Sequence, residues 1–376
     1  MRNQDIYIGI LSGTSMDSID CVLCDFKNEG YNIIEFIETP YPKALKEKLK
    51  SLNENELKHR EKVDSLDIEL SKSYVKLIEK IIKKANKSNE EILVIGMHGQ
   101  TVSHLVDKNS VTSIQIGSPQ FIAESLKIDV AANFRQDDIS DGGQGAPLAP
   151  LFHEYIFNKH DKNQIVANIG GISNISLLPA AKKEVIGYDT GPGNVLIDKW
   201  IQKKYGMPYD KDGEISNSVK FSDKLLNIFL NDNYFLKQYP KSVGAEYFSL
   251  NWIEKNINKM SKTEKISPEV VTSTLTKLTS KTIVDQVKNN MASCDEIIIV
   301  GGGAYNKSII SNIEIDIEEN FGKKTIVCTS KNYGFSPKAI EAGLFAWLAM
   351  CKLNNTKLDY RSITGSSSIK TIGKIY

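Results

Sequence analysis

Residues 9–20 read Gly9-Ile10-Leu11-Ser12-Gly13-Thr14-Ser15-Met16-Asp17-Ser18-Ile19-Asp20. Apolar residues from Ile6 lead into this stretch and alternating ones leave it towards Phe26. The spacing predicts strands over 6–13 and 19–26 joined by a small-residue turn, with a third strand over 31–39. Small residues at such a turn let backbone N–H groups face an oxyanion, and the hydroxyls of Ser12, Thr14 and Ser15 can donate to phosphate oxygens. Asp17 and Asp20 can orient Mg2+ beside them. The plainer reading is a hairpin whose aspartates cap backbone amides. No Gly-Lys-Ser/Thr follows, which excludes a Walker loop, and the turn leads into a strand, which excludes a dinucleotide fingerprint.

The theme returns in the second half. Strands over 164–169 and 175–178 flank Asn168-Ile169-Gly170-Gly171-Ile172-Ser173-Asn174. A Gly-Gly hairpin explains this turn alone; two such turns, one per half, can clamp a triphosphate. A strand over 296–300 ends on Gly301-Gly302-Gly303, which permits close backbone approach to a base and ribose or simply tight packing. A strand over 184–188 ends at Asp189-Thr190-Gly191-Pro192-Gly193-Asn194, ahead of a helix. A carboxylate at a strand end in an α/β protein is a usual place for a general base, and a turn cap is its plainer role. Asn194 can bind a polar ligand or cap the helix.

Between these motifs a strand over 93–96 closes on His98-Gly99-Gln100-Thr101, and a strand over 128–133 closes on Asn133-Phe134-Arg135. Arg135 can hold a carboxylate in bidentate fashion, while His98 by itself reads more simply as a satisfied structural histidine. A loop carrying Asp137, Asp138, Asp141, Gly142, Gly143 and Gly145 precedes a helix expected to start at Pro147. Amphipathic helices are expected within 43–87, and others at 119–127, 219–230, 267–290 and 337–352. Strands alternating with helices, each half opening on a hairpin, predict a duplicated α/β unit around a nucleotide site.

The length of 376 residues suits two domains, and 41% hydrophobic with 25% charged residues are ordinary globular values. A formal net charge of +1 predicts neither a nucleic-acid footprint nor a polybasic membrane anchor. No apolar run approaches the roughly 18 residues of a membrane helix and no apolar leader opens the chain, so the expected location is the cytoplasm. Five cysteines without a pairing pattern fit a reducing compartment, and no histidine shows metal-ligand spacing.

Taken in order, GILSGTSMDSID, GMHGQTVSH, NFRQDDISDGGQGAPLAPLFH, NIGGISNISLL, GYDTGPGN, PYDKDGE, YPKSVGAEYF, VGGGAYN and EAGLFAWLA resemble the anhydro-N-acetylmuramic acid kinase family from about residue 6 to 374. The resemblance implies an α/β, duplicated actin-like (ribonuclease-H-like) ATPase fold, its two domains closing around a nucleotide cleft. The domains are expected at 1–134 with 354–376, and at 135–353. It implies ATP and Mg2+ as cofactors and 1,6-anhydro-N-acetylmuramic acid as substrate, ring-opened by water and phosphorylated on O6 in cell-wall recycling. Carried onto this chain, it makes Asp189 the catalytic base. Gly13, Thr14, Ser15, Met16, Asp17, Ser18, Ile19 and Asp20 become the ATP phosphate loop, with Asp17 on the metal, and Asn168, Gly170, Gly171, Gly301, Gly302 and Gly303 complete the nucleotide set. His98, Gln100, Thr101, Arg135, Asn194 and Glu341 become sugar contacts. The chain departs from the family's usual residues at Ser18, Asn133 and Ala245. A homodimer is left open, and no nucleic acid or membrane is expected. The competing readings are a kinase of the same fold acting on another sugar hydroxyl and a non-enzymatic actin-like ATPase.

Overall fold

The structure is a computed structural model that describes residues 5–13, 16–27, 30–51, 60–106, 110–180, 184–260 and 266–376. Thr14 and Ser15 therefore lie outside the described residues. The chain forms two compact units, Met1–Ile156 with Lys338–Tyr376, and Phe157–Pro337.

In the first unit, β1 (Ile6–Ser12), β2 (Ser18–Asp25) and β3 (Asn32–Pro40) form an antiparallel meander, the small-residue turn joining β1 to β2 as its composition predicts. β4 (Ile92–Val106) lies parallel to β1 on its other side. It carries β5 (Val111–Ile116) antiparallel and β6 (Val130–Ala132) parallel, so the path runs β3-β2-β1-β4-β6. Side chains alternate across a strand. Ile6, Ile8 and Ile10 join one core with Leu70, Tyr74 and Ile78 of the helix Arg60–Lys84. On the opposite face the helix Ala339–Leu353 lies against β1, β2 and β4. Two glycines let it come that close: a Cβ on Gly9 would stand 1.9 Å from the Ala342 carbonyl oxygen, and one on Gly96 1.8 Å from that of Phe345.

The second unit repeats the plan. β7 (Gln164–Ile169), β8 (Ile172–Leu178) and β9 (Ile186–Pro192) form the meander, and β10 (Glu296–Val300) then β11 (Ile326–Thr329) add in parallel beside β7, giving β9-β8-β7-β10-β11. Strand order and directions match those of the first unit, so the duplication inferred from two hairpins is carried by the topology of each sheet. The core packs Ile165, Ala167 and Ile175 against Ile197 and Trp200 of the helix Val195–Tyr205 and Leu275, Leu278 and Ile283 of the helix Pro268–Asn290.

Several boundaries differ from the sequence reading. Residues 135–156 and 338–353, grouped there with the second half, belong to the first unit, because the last helix seats on Gly9 and Gly96. β4 continues through His98, Gln100 and Thr101, so these residues are in a strand and not in a loop after it. Asp189 lies inside β9 rather than beyond its end. The helix expected from Pro147 starts at Pro150, and Arg135 sits on a short helix, Phe134–Ser140.

Candidate active site

In the first unit, the turn after β1 is held by its own backbone: the Met16 amide donates to the Gly13 carbonyl at 3.0 Å, with Met16 at φ 54°. Gln100 pairs with Ser12 in the β1/β4 register and its amide donates to the same carbonyl at 3.2 Å. A Cβ on Gly13 would meet nothing within 4 Å among the described residues. Neither packing nor φ among the described residues requires glycine there, whereas the close approach of a ligand would. Asp17 is exposed and ion-paired with Lys46 at 3.0 Å. Ile19 points into the core, leaving only its backbone for ligands. Ser18 donates to Asp20 at 2.7 Å. Burial pushes the Asp20 carboxyl up to about 6; the Ser18 bond pulls it down, Glu341 and Glu38 push it up, and Lys338 pulls it down. Glu341, on the last helix, therefore stands within electrostatic reach of the Asp20 carboxylate.

His98 is the extra residue of a β-bulge: Ile10 pairs with Met97 and Leu11 with Gly99, and Gly99 takes φ 83°. A bulge re-aims the side chain it inserts. The ring packs on Phe345 with centroids 4.6 Å apart, and its Nδ1 lies 3.0 Å from the Gly99 carbonyl. Arg135 Nε donates to His98 Nε2 at 2.8 Å, and Arg135 Nη1 donates to the Gly145 carbonyl at 2.7 Å. With Nε2 accepting, the proton belongs on Nδ1. Burial and the Arg135 charge hold the imidazole neutral, far below its usual range. His98 thus orients Arg135. Asp137 and Asp138, expected in a loop, lie on the helix Phe134–Ser140, and with Asp141 after it they are clamps: Asp138 accepts from Gly145 N and Thr364 Oγ1, each at 2.7 Å, Asp137 pairs with Lys370, and Asp141 accepts from Ser368. Thr101 accepts from Gln115 at 3.3 Å. Gln100 is fully buried and its Oε1 has no hydrogen-bond partner among the described residues.

In the second unit the strand register assembles a row. Asn168 pairs with Asn174, and Asn174 with Asp189, so the three side chains stand abreast on one face of β7, β8 and β9. A bulge at Thr190 follows at once, with Gly191 at φ 154°. Asp189 is 6% exposed; Val243 N donates to its Oδ2 at 3.0 Å, its amide donates to the Lys241 carbonyl at 3.2 Å, and Tyr234 Oη donates to its carbonyl at 2.8 Å. Gly170 and Gly171 turn their carbonyls to the amides of Asn194, Gly193 and Val195, which ties the Gly-Gly turn to the Gly-Pro-Gly turn. Asn194 Nδ2 donates to the Ile169 carbonyl at 3.3 Å, and Thr279 Oγ1 reaches the carbonyls of Pro192 and Gly193. Gly301 has φ 78°, and a Cβ there would stand 2.5 Å from Asn168 Oδ1; one on Gly303 would strike Ile169 at 2.3 Å, while Gly302 is open beyond 3.6 Å.

Two residues of this set escaped the sequence reading. Asn174 closes the second phosphate-turn candidate in sequence, and its place beside Asp189 follows from register; its buried Oδ1 has no partner among the described residues. Lys241 lies 52 positions from Asp189, inside the motif YPKSVGAEYF to which the sequence assigns no role; it is 3% exposed.

The sequence profile described as anhydro-N-acetylmuramic acid kinase matches residues 5–376. The anhydro-N-acetylmuramic acid kinase of Pasteurella multocida (strain Pm70) is 38% identical over 372 residues, 98% of this chain and 96% of its own. That of Shewanella sp. (strain ANA-3) is 37% identical over 371 residues, 99% and 98% of the two chains. Among solved structures, the activator of the 2-hydroxyisocaproyl-CoA dehydratase from Clostridium difficile with bound ADPNP aligns over 93% of this chain and 96% of its own, at 14% identity and a TM-score of 0.45, too distant to bear on activity. A profile spanning almost every residue and full-length relatives above one-third identity place the chain in the anhydro-N-acetylmuramic acid kinase family.

Proposed function

We propose that this chain is an ATP-dependent cytoplasmic kinase that opens 1,6-anhydro-N-acetylmuramic acid with water and phosphorylates its O6, giving N-acetylmuramate 6-phosphate and ADP in peptidoglycan recycling. The observation that carries the residue-level reading is Asp189: a buried carboxylate inside the family's Asp-Thr-Gly-Pro-Gly-Asn motif, fixed by Val243 N and aligned with Asn168 and Asn174. The substrate has no free 6-hydroxyl, because O6 is tied to C1, so a base has no sugar proton to take. Asp189 instead takes a proton from water as that water attacks C1; the C1–O6 bond breaks, and O6, holding its electron pair, takes the γ-phosphoryl group of ATP as the bond to ADP breaks.

The turn of Gly13 and Met16–Asp20 suits the phosphates: among the described residues nothing stands within 4 Å of a Cβ on Gly13. Among the described residues no group of three or more acidic, histidine or cysteine side chains is placed to hold a metal. Mg2+ in its common mode needs only one or two carboxylates, with nucleotide oxygens and waters. Asp20, half-buried beside Glu341, suits that role better than Asp17, which Lys46 already engages. Bound Mg2+ supplies charge neutralisation at the phosphates. Arg135, braced by His98 and Gly145, is the cation proposed for the lactyl carboxylate of the sugar. Gln100, Thr101, Asn194 and Glu341 remain the other proposed sugar contacts, and Asn168 with the glycines 170, 171 and 301–303 the nucleotide contacts.

The test is ATP-dependent turnover of the anhydro sugar and of N-acetylmuramic acid, with product masses determined. Turnover of the anhydro sugar to a hydrated, phosphorylated product is expected, and preference for the open sugar would instead favour a kinase acting on an ordinary hydroxyl. Asp189→Asn should fold, bind ATP and turn over at least about 10²-fold more slowly.

A further inference from the structure

We propose that Lys241 is a positioning residue for Asp189, a buried ammonium over the Tyr234 and Tyr188 rings whose field keeps that carboxylate ionised and ready to accept a proton. The proposal rests on the reading of Asp189 as the base.

Lys241 is 3% exposed, and its Nζ has no hydrogen-bond partner among the described residues. The ammonium lies 5.0 Å from the ring centroid of Tyr234 and 5.6 Å from that of Tyr188, two faces that accept a desolvated cation. The same stretch of chain grips Asp189: its amide reaches the Lys241 carbonyl, Val243 N holds its Oδ2, and Tyr234 Oη holds its carbonyl. The backbone of Lys241 is therefore tied to that of Asp189, and its neighbour Val243 to the carboxylate. A lysine stem can be mere filling, but an apolar side chain would fill the space without the cost of burying a charge. Retaining an ammonium with no hydrogen-bond acceptor is accounted for if its field on Asp189 is what is used.

The neighbourhood sets the sign. Asp189 is the carboxylate that favours the Lys241 cation, against burial, which pulls the lysine down to about 8, and against the like charge of Lys237. Lys237 itself lies over the outer face of Tyr234 at 5.7 Å. Asp232 is engaged by Tyr247 Oη, Trp252 Nε1 and the Tyr234 amide. Tyr188 stacks on Tyr239 and meets the neutral amides Gln286 and Asn290 of the helix Pro268–Asn290. Below about pH 8 Lys241 is the buried cation coupled to Asp189, and it favours the ionised carboxylate.

The experiment is the pH profile of kcat/KM for the intact chain with ATP and the anhydro sugar. In Lys241→Met the acid limb is expected to move up by about one pH unit, since removing a nearby opposite charge raises a carboxylate by that order. Turnover then falls about tenfold on the acid side and recovers towards pH 8. Lys241→Gln should shift the limb the same way, and Lys241→Arg, which keeps the charge, should leave it in place. An unmoved limb, or a loss equal at every pH in both neutral variants, overturns the proposal and leaves Lys241 a packing residue. Asp189→Asn is measured alongside. If it loses turnover while the limb stays put, only the role of Lys241 falls; if it retains turnover, the base assignment falls and this proposal with it.

Discussion

At the scale of single residues, the contacts divide the polar motifs into clamps and candidates for chemistry. Asp137, Asp138 and Asp141 look from sequence like a cluster of ligands, yet each is spent on the C-terminal segment or its own loop. His98 is spent on Arg135. Gly13 is the opposite case, a glycine that the described contacts do not require. Gly13→Val should therefore fold with an unchanged melting temperature while its side chain occupies the space a phosphate would use. Calorimetric titration should show ATP binding weaker by at least about tenfold, the worth of roughly one lost hydrogen bond. Unchanged affinity in the folded variant would remove the turn from the nucleotide site.

At the scale of elements, the last helix has the largest consequence for the first unit. Its apolar run Ala342–Ala349 was legible as a helix, but its seat on β1 and β4 was not, because the information lies in Gly9 and Gly96, far away in the chain. A Cβ on Gly96 meets only backbone atoms of Phe345 and Ala346, which no rotamer change can relieve. Gly96→Ala should destabilise the protein by about 1–3 kcal/mol or more, the usual cost of overpacking, and lower its melting temperature. The same substitution should impair turnover, since this helix carries Glu341 and the Phe345 ring under His98. An unaltered melting temperature would mean that the helix does not seat as described. β-Bulges act at this scale too: one inserts His98 into β4 and another follows Asp189 in β9.

At the scale of the whole molecule, buried histidines make stability depend on pH. Burial holds His153 down at about 3, and burial with the Arg135 charge holds His104 at about 4; His98 is also kept neutral. Unfolded histidine titrates near 6.5, so as pH falls from there towards 4 the unfolded chain takes up protons that the folded chain refuses, and stability is lost, by up to about 1.4 kcal/mol per pH unit per group. Asp20 opposes this: its folded carboxyl, raised to about 6, protonates before the unfolded one, so acidification through that window favours the fold. Three histidines outweigh one carboxyl, and Asp138, raised by burial, narrows the margin. All of these groups lie in the first unit. Urea unfolding followed through Trp347, with Trp200 and Trp252 replaced by Phe, should give a lower midpoint at pH 5 than at pH 7. Equal midpoints would contradict the neutral, buried state of these rings.

The sequence alone carried the duplicated α/β plan, because hairpin turns, strand alternation and helix periodicity are local and leave their mark in neighbouring residues. It also carried the family, through ordered motifs, and Asp189, through the motif that contains it. Tertiary structure decided where the units divide, since that depends on which sheet the helix Ala339–Leu353 seats against. It decided which polar residues are free for chemistry, since Asp138 and His98 meet partners distant in sequence. It alone placed Asn174 abreast of Asp189 and Lys241 against Tyr234, because cross-strand register and the burial of a charge arise only when separate segments pack.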